Sequence, residues 1–105
     1  MDITRSTYRL TSLLPKPEQF GLTSQMRRAA VSIPSNIAEG RMRGTDRDFR
    51  QFLLIALGSS AELQTQLQLV AELYTLDASA IATLAKQLDE QMKMLNRFIA
   101  SLSSR

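Results

Sequence analysis

Residues 22–50, LTSQMRRAAVSIPSNIAEGRMRGTDRDFR, hold the pattern that decides the fold. A helix is predicted over about 21–42, because apolar and small residues recur there at three- and four-residue spacing. Its main stripe consists of Leu22, Met26, Ala29, Ile33, Ile37 and Gly40. Its back stripe, on the opposite side, consists of Ser24, Val31, Ser35, Ala38 and Met42. A surface helix normally carries one apolar stripe, so we expect both sides of this helix to pack against something.

The residues that follow predict a turn and a longer third helix. Arg43 and Gly44 form the turn, Thr45 is the expected N-cap, and the helix runs over about 45–75. Its main stripe consists of Phe49, Leu53, Ala56, Ser60, Leu63, Leu67, Val70 and Tyr74. Its back stripe consists of Leu54, Gly58, Ala61, Thr65 and Leu69. Gly58 and its small neighbours leave little side-chain bulk, so another backbone can come close there.

Two further helices flank this pair. The first is predicted over about 2–14, and Pro15 and Pro17 end it. Its apolar face consists of Ile3, Thr7, Leu10 and Leu14. The fourth is predicted over about 78–102, with Asp77 as its N-cap. Its single apolar seam consists of Ile81, Ala85, Leu88, Met92, Leu95, Ile99 and Leu102, and its far side is charged.

Together these segments predict an all-α fold, formed by one domain over 1–105. Short connections favour an antiparallel up-down-up-down four-helix bundle, with a short first helix and a second helix kinked at Pro34. The first helix is too short to span the third and fourth, so part of the core groove stays uncovered. Self-association would cover that groove and both back stripes. The alternative is a monomer, since small apolar residues also occur singly on monomer surfaces. The candidate interface residues are Val31, Ser35, Ala38, Met42, Leu54, Gly58, Ala61, Thr65 and Leu69.

Three polar features of the second and third helices have a structural explanation. Asn36 lies near the core face, so its amide is expected to find partners inside the bundle or across an interface. Glu39 and Arg43 have the spacing of a modest surface ion pair. Glu62 lies beside the back stripe and could pair with an arginine of a neighbouring subunit.

The composition excludes several classes of function. The chain contains no cysteine and no histidine, which removes disulfides, thiolate metal sites and the commonest general base. Its carboxylates are scattered, and there is no glycine-rich phosphate loop, so we expect no enzymatic activity, no cofactor and no metal. The N-terminal residues carry charges where a signal peptide needs an apolar run, and no stretch approaches membrane-spanning length. We therefore expect a cytoplasmic protein.

The basic residues are concentrated in the first half of the chain, although the net charge is only +3. The candidate nucleic-acid-binding residues are Arg27, Arg28, Arg41, Arg43, Arg47 and Arg50. Repeated around a symmetric ring, they would form a collar that attracts phosphate. An ordinary solvated surface remains an alternative, as does a helix-turn-helix over 39–49, for which both helices look too long. A second functional hypothesis is a scaffold that binds a partner protein without nucleic acid.

Two runs of sequence carry a family resemblance. FGLTSQMRRAAVSIPSNIAEG, residues 20–40, and DF..FL.IALGSSAEL.TQL, residues 48–67, closely resemble the four-helix-bundle family named for proteins encoded in intervening sequences of 23S rRNA genes. The resemblance implies an antiparallel bundle and a homopentameric ring. It also implies similarity to the accessory bundle protein of diversity-generating retroelements, which partners a reverse transcriptase and binds nucleic acid. This chain differs in a shorter N-terminal segment and in Gln64, where family members often have glutamate.

Overall fold

The computed structural model describes residues 2–103, and within them the chain is helical and has no strand. The helices are α1 (Asp2–Thr11), α2 (Leu22–Met42), α3 (Asp46–Leu73) and α4 (Ala78–Ser103), and a 3-10 helix, Lys16–Phe20, precedes α2. Helix α1 packs against α2 and α4, and α3 also packs against both. The molecule measures 46 × 23 × 18 Å, so α3, about 42 Å long, can run along its long axis. The predicted all-α fold with four helices is confirmed.

The core is built from the main stripes that the sequence predicts, with one correction on α4. The buried core includes Met26, Ile33, Leu53, Ala56, Leu63, Leu67, Leu88, Leu95 and Ile99. Ala85, which the predicted seam includes, is exposed, and the neighbouring Leu84 is fully buried instead. Either residue could face the core at a spacing of 3.6 residues per turn, and the larger side chain removes more apolar surface from water.

The ends of the helices also differ from their predicted positions. The first helix ends at Thr11 rather than at residue 14, because the chain tightens to i→i−3 hydrogen bonds, from the Leu13 and Leu14 amides to the Leu10 and Thr11 carbonyls, before Pro15. Leu14 is nevertheless buried. The third helix ends at Leu73, since Tyr74 is extended. The 3-10 helix was not predicted, although a proline at its start suits a first helical turn.

The turn between α2 and α3 contains the glycine and the N-cap residue that the sequence predicts. Gly44 adopts a φ of 83°, which is unfavourable for residues with a side chain. The Thr45 hydroxyl accepts a hydrogen bond from the Asp48 amide at 3.1 Å, so the predicted N-cap is confirmed. Asp77 caps α4 in the same way, with its Oδ1 2.9 Å from the Ser79 amide nitrogen. Helix α2 continues through Pro34, and a kink there stays a prediction.

Helices α2 and α3 are joined by a close approach and by a polar network. A Cβ on Gly40 would lie only 2.8 Å from Phe52 Cβ and 2.9 Å from Phe49 Cδ1. The Ser32 and Ser59 hydroxyls lie 2.8 Å apart, and Asn36 Nδ2 donates to Ser32 Oγ at 2.9 Å. The Asn36 amide therefore bonds within its own helix, to the carbonyl and the hydroxyl of Ser32, and is connected to α3 only through the Ser32–Ser59 contact. These contacts fix the register of the two helices that carry the candidate sites.

Candidate nucleic-acid and self-association surfaces

Three of the six candidate arginines are exposed together around the α2–α3 turn. They are Arg41, Arg43 and Arg47, and we call them the turn arginines. Arg43 Nε lies 3.4 Å from Glu39 Oε2, which confirms the predicted ion pair, and its guanidinium lies 4.9 Å from the centroid of the Phe52 ring. An ion pair so exposed to water is worth well under about 1 kcal/mol. Arg43 can therefore exchange Glu39 for a phosphate at little cost.

The other three arginines have different surroundings. Arg27 Nε donates to the Thr11 hydroxyl at 2.9 Å, and its guanidinium lies 4.5 Å from the centroid of the Tyr8 ring. Arg27 therefore links α2 to α1 through these two contacts. Arg50 is half-buried, and its Nε is buried without a hydrogen-bond partner among the described residues. Arg28 is exposed, but it lies about 20 Å along α2 from Arg41. Arg27 and Arg28 therefore lie away from the turn arginines, whereas Arg50 is one helical turn from Arg47 but is only partly exposed.

The surface beside the turn arginines is shallow. A depression of about 260 Å³ is lined by Gly40, Arg41, Gly44, Thr45, Asp46 and Phe49. Asp46 and Asp48 are exposed in the first turn of α3, where they favour the helix dipole and reduce the local positive charge. Among residues 2–103, no three His, Cys, Asp or Glu side chains are grouped as metal ligands. The turn thus combines three exposed arginines with two exposed carboxylates around an open depression.

The candidate interface residues are mostly exposed, so they are accessible for contact with a second copy of the chain. On α3, Leu54, Gly58, Thr65 and Leu69 are exposed and Ala61 is half-buried. On α2, Val31, Ser35, Ala38 and Met42 are exposed, and Met42 is 82% accessible. A Cβ on Gly58 would meet no atom within 4 Å. Exposed apolar residues are normally scattered, whereas these follow the helical spacing that the sequence shows.

The two back stripes lie on different sides of the bundle. On α2, Ser32 faces α3 through its hydrogen bond to Ser59, while Arg27 faces α1. Ala38 and Met42 line a depression of about 370 Å³ with residues of that second side, Pro34, Ile37 and Arg41. The α3 stripe is opposite the core face of α3 itself. Each subunit thus offers two different apolar surfaces rather than one.

The end of the bundle away from the turn arginines has features that the sequence patterns did not single out. Phe20 is 89% exposed and Leu73 is 63% exposed. The segment that carries Phe20 is held in place by Glu18, whose carboxylate accepts hydrogen bonds from the Tyr74 hydroxyl and from the Leu22 amide. The hydrogen bond to Glu18 raises the pKa of Tyr74, and burial and the charge of Glu18 raise it further. In the sequence, the feature that could have identified Phe20 as exposed is that an aromatic residue lies in a connecting segment.

No helix within the described part of the chain is both long and apolar enough to cross a membrane.

Comparison with known proteins identifies the family of this chain and a similar fold among solved structures. The sequence model of the family described as 23S rRNA-intervening sequence protein matches residues 1–97. Among solved structures, a protein of unknown function from the S23 ribosomal protein family of Bacteroides thetaiotaomicron VPI-5482 is similar, with a TM-score of 0.75 and 21% sequence identity. The alignment covers 92% of this chain and 97% of that one, and at this identity the similarity concerns the fold alone. Among proteins of curated function, none matches the sequence.

Proposed function

The chain belongs to the family of 23S rRNA-intervening sequence proteins, and on that premise we propose that it is a non-enzymatic, self-assembling bundle that binds RNA or DNA in the cytoplasm through its turn arginines. The family is named for the genes that encode its members, so the ligand has to be argued from the surface. The observation that carries the proposal is the exposure of Arg41, Arg43 and Arg47 on one turn. The absence of cysteine fits a reducing compartment.

The chemistry of the turn favours the nucleic-acid backbone over the bases. Arginine presents a planar fork that matches phosphate oxygens, and its charge releases counterions from the polyanion. The aromatic rings nearest the turn, Phe49 and Phe52, are half-buried, and Arg43 covers the Phe52 ring. Phe98, whose ring centroid lies 5.3 Å from that of Phe49, is 37% exposed and offers one ring on which a base could stack whatever its identity. Binding should depend on charge and shape rather than on sequence.

Self-association would multiply this charge. Two different apolar surfaces on one subunit can pair head to tail, and such heterologous contacts close into rings when the rotation allows it. In this arrangement the α2 stripe of one subunit covers the α3 stripe of the next, and Glu62 lies beside the contact. The family resemblance favours a homopentamer. Each subunit adds three turn arginines to the same ring, which raises the local field that a phosphate backbone meets.

A mobility-shift experiment tests the nucleic-acid part of the proposal. Labelled RNA and duplex DNA are mixed with the full chain at about 50 mM salt, where weak electrostatic binding is retained. We expect retarded nucleic acid with the wild type and none with the variant in which all three turn arginines are replaced by alanine. The matched control removes the same charge elsewhere, by replacing Arg5, Arg9 and Lys86. Equal loss in both variants, or no shift with the wild type, would refute the assignment.

A scaffold for a partner protein is the second candidate function, and the far end of the bundle favours it. Phe20 and Leu73 are large apolar side chains exposed at that end, and an exposed apolar patch often marks a protein interface. The resemblance to the retroelement accessory bundle favours a reverse transcriptase as the partner. Purification from native cells decides between the two functions. Co-purifying nucleic acid supports the first, whereas one protein retained after nuclease treatment supports the second.

A further inference from the structure

The contacts between α2 and α3 fix which of their residues lie at the same level, that is, at the same position along the long axis of the bundle. The Ser32 and Ser59 hydroxyls are 2.8 Å apart. A Cβ on Gly40 would lie 2.8 Å from Phe52 Cβ. Each residue gained along α2 therefore corresponds to about one residue lost along α3. This relation assigns every position of α2 a level on α3.

A ring built from the two back stripes allows one orientation of its subunits. Each stripe runs along its helix, so the α2 stripe of one copy covers the α3 stripe of the next only when those two helices are nearly aligned. Within a subunit, α2 and α3 are aligned as well. The rotation between neighbouring copies therefore turns α3 onto a nearly parallel line. Unless that rotation is a half-turn, its axis runs along the helices.

Residues at the same level meet across such a contact, because rotation about the helix direction involves no shift along it. Val31 is level with the stretch between Gly58 and Ala61, where the α3 stripe has least side-chain bulk. Leu54 is level with Ala38 to within about one residue. In both places an exposed large side chain of one stripe faces small residues of the other. The two stripes are therefore complementary in shape at equal level.

Charges of opposite sign also occur at equal level. Arg28 of α2 and Glu62 of α3 are exposed and level to within about one residue. Neither forms an ion pair within residues 2–103. Arg28 lies one helical turn from Ser32, and Glu62 one turn from Ser59, so both are on the flank where α2 and α3 adjoin. In a ring, Arg28 therefore has one Glu62 on either side, that of its own subunit and that of the next copy.

On the basis of the self-association proposed above, we propose that copies of this chain assemble side by side at equal level and in the same direction. Val31 of one copy packs against Gly58 and Ala61 of the next, and Arg28 lies within reach of Glu62 of that copy. Complementary bulk and opposite charge at equal level select a second copy as the occupant of each stripe. All turn arginines then lie at one end of the ring, where a phosphate backbone meets them together.

Cysteine cross-linking tests this register, because the chain has no cysteine of its own. Val31→Cys and Ala61→Cys are placed in the same chain, which is oxidised with copper phenanthroline. A disulfide needs Cα atoms about 4.4–6.8 Å apart, and within one subunit these two positions lie on different outer sides of the bundle. The control combines Val31→Cys with Leu54→Cys, which is on the same stripe as Ala61 but about 10 Å away along α3.

We expect a ladder of covalent oligomers from the first pair on non-reducing gels and none from the control pair. Each single-cysteine variant should give no covalent dimer, because a head-to-tail contact does not bring a residue against itself. Dimers of a single-cysteine variant, or a ladder of equal strength from the control pair, would overturn the proposal. So would the lack of a ladder in a protein that light scattering shows to be assembled. A monomeric wild type would instead refute the self-association on which the register rests.

Exchange of charge tests the contact between Arg28 and Glu62. Arg28→Glu and Glu62→Arg should each weaken assembly, by about two- to fivefold per contact for an exposed pair. The double variant restores opposite signs, so it should recover part of the loss. Arg5→Glu, an exposed reversal on α1, should leave assembly unchanged. If the losses of the two single variants simply add in the double variant, Arg28 and Glu62 do not meet and the proposed register is wrong.

Discussion

Replacing Gly58 by leucine should separate the stability of one subunit from the assembly of several. Gly58 lies within α3, on its exposed back stripe, and an added Cβ would meet nothing within 4 Å. Leucine is a better helix former than glycine by about 0.5–1 kcal/mol. The isolated subunit of Gly58→Leu should therefore be more stable than the wild type by about that amount. A gain in subunit stability is unusual for a substitution that introduces a large side chain.

Assembly should respond in the opposite direction. If the neighbouring subunit approaches α3 closely at Gly58, the leucine side chain overpacks the contact and costs about 1–3 kcal/mol. That weakens each contact by roughly 5- to 150-fold. Multi-angle light scattering at micromolar concentration measures the loss of assembly. Urea unfolding, at a dilution where the protein is monomeric, measures the gain in subunit stability.

The control is Lys93→Leu, which adds the same side chain on the charged side of α4. Lys93 Nζ lies 3.0 Å from Asp89 Oδ2, and both side chains are exposed, so loss of this pair costs at most about 0.5 kcal/mol. Lys93→Leu should assemble like the wild type. The reasoning is refuted if Gly58→Leu also assembles like the wild type, or if both variants lose assembly equally. A wild-type protein that is monomeric at micromolar concentration would refute self-association altogether.

Three further predictions concern the subunit alone. Gly40→Ala should lower the free energy of unfolding by about 1–2 kcal/mol in urea melts, because the new Cβ would overlap Phe52 and Phe49; an unchanged value would show that α2 does not need this close approach. Thr45→Ala should cost about 1 kcal/mol in the same assay through loss of the α3 N-cap, whereas no change would mean that water caps the helix equally well. The pKa of Tyr74 is raised above its usual 10.0 by its hydrogen bond to Glu18, so the stability from that bond should be complete below about pH 10 and be lost as pH rises through the raised value. The stability difference between the wild type and Tyr74→Phe should therefore shrink above pH 10, and a constant difference would contradict this.

The fold could be predicted well because its information is local and periodic. The main stripes of α2 and α3 repeat over many turns, so a single ambiguous residue does not change which face is buried. On α4, Leu84 and Ala85 lie on either side of the line that faces the core, so helical spacing alone allows either residue to be buried. Side-chain volume decides that choice, and regular spacing alone missed it. The end of α1 was also missed, because the turn before Pro15 tightens to i→i−3 hydrogen bonds, which an apolar pattern does not distinguish from a continuing helix.

The candidate site could be predicted only in part, because its exposure depends on tertiary contacts. The sequence groups Arg27 with the turn arginines by residue type. Its actual partner, Thr11, lies on another helix, where no local pattern reveals it. The Ser32–Ser59 contact is similar: the sequence indicates small residues on both helices, but only the packed pair shows that their hydroxyls meet. The exposed back stripes were visible because they, too, are periodic.

The most direct test of the central proposal is the salt dependence of nucleic-acid affinity, measured by anisotropy with a labelled DNA duplex. One subunit with three turn arginines should give a slope of log affinity against log salt of about −2.7, or a loss of about 40-fold between 50 and 200 mM salt. An assembled ring that engages several subunits predicts a steeper slope for the wild type. Replacing the turn arginines with alanine should then make it nearly flat. No binding at low salt, or the same slope in the alanine variant, would contradict the account.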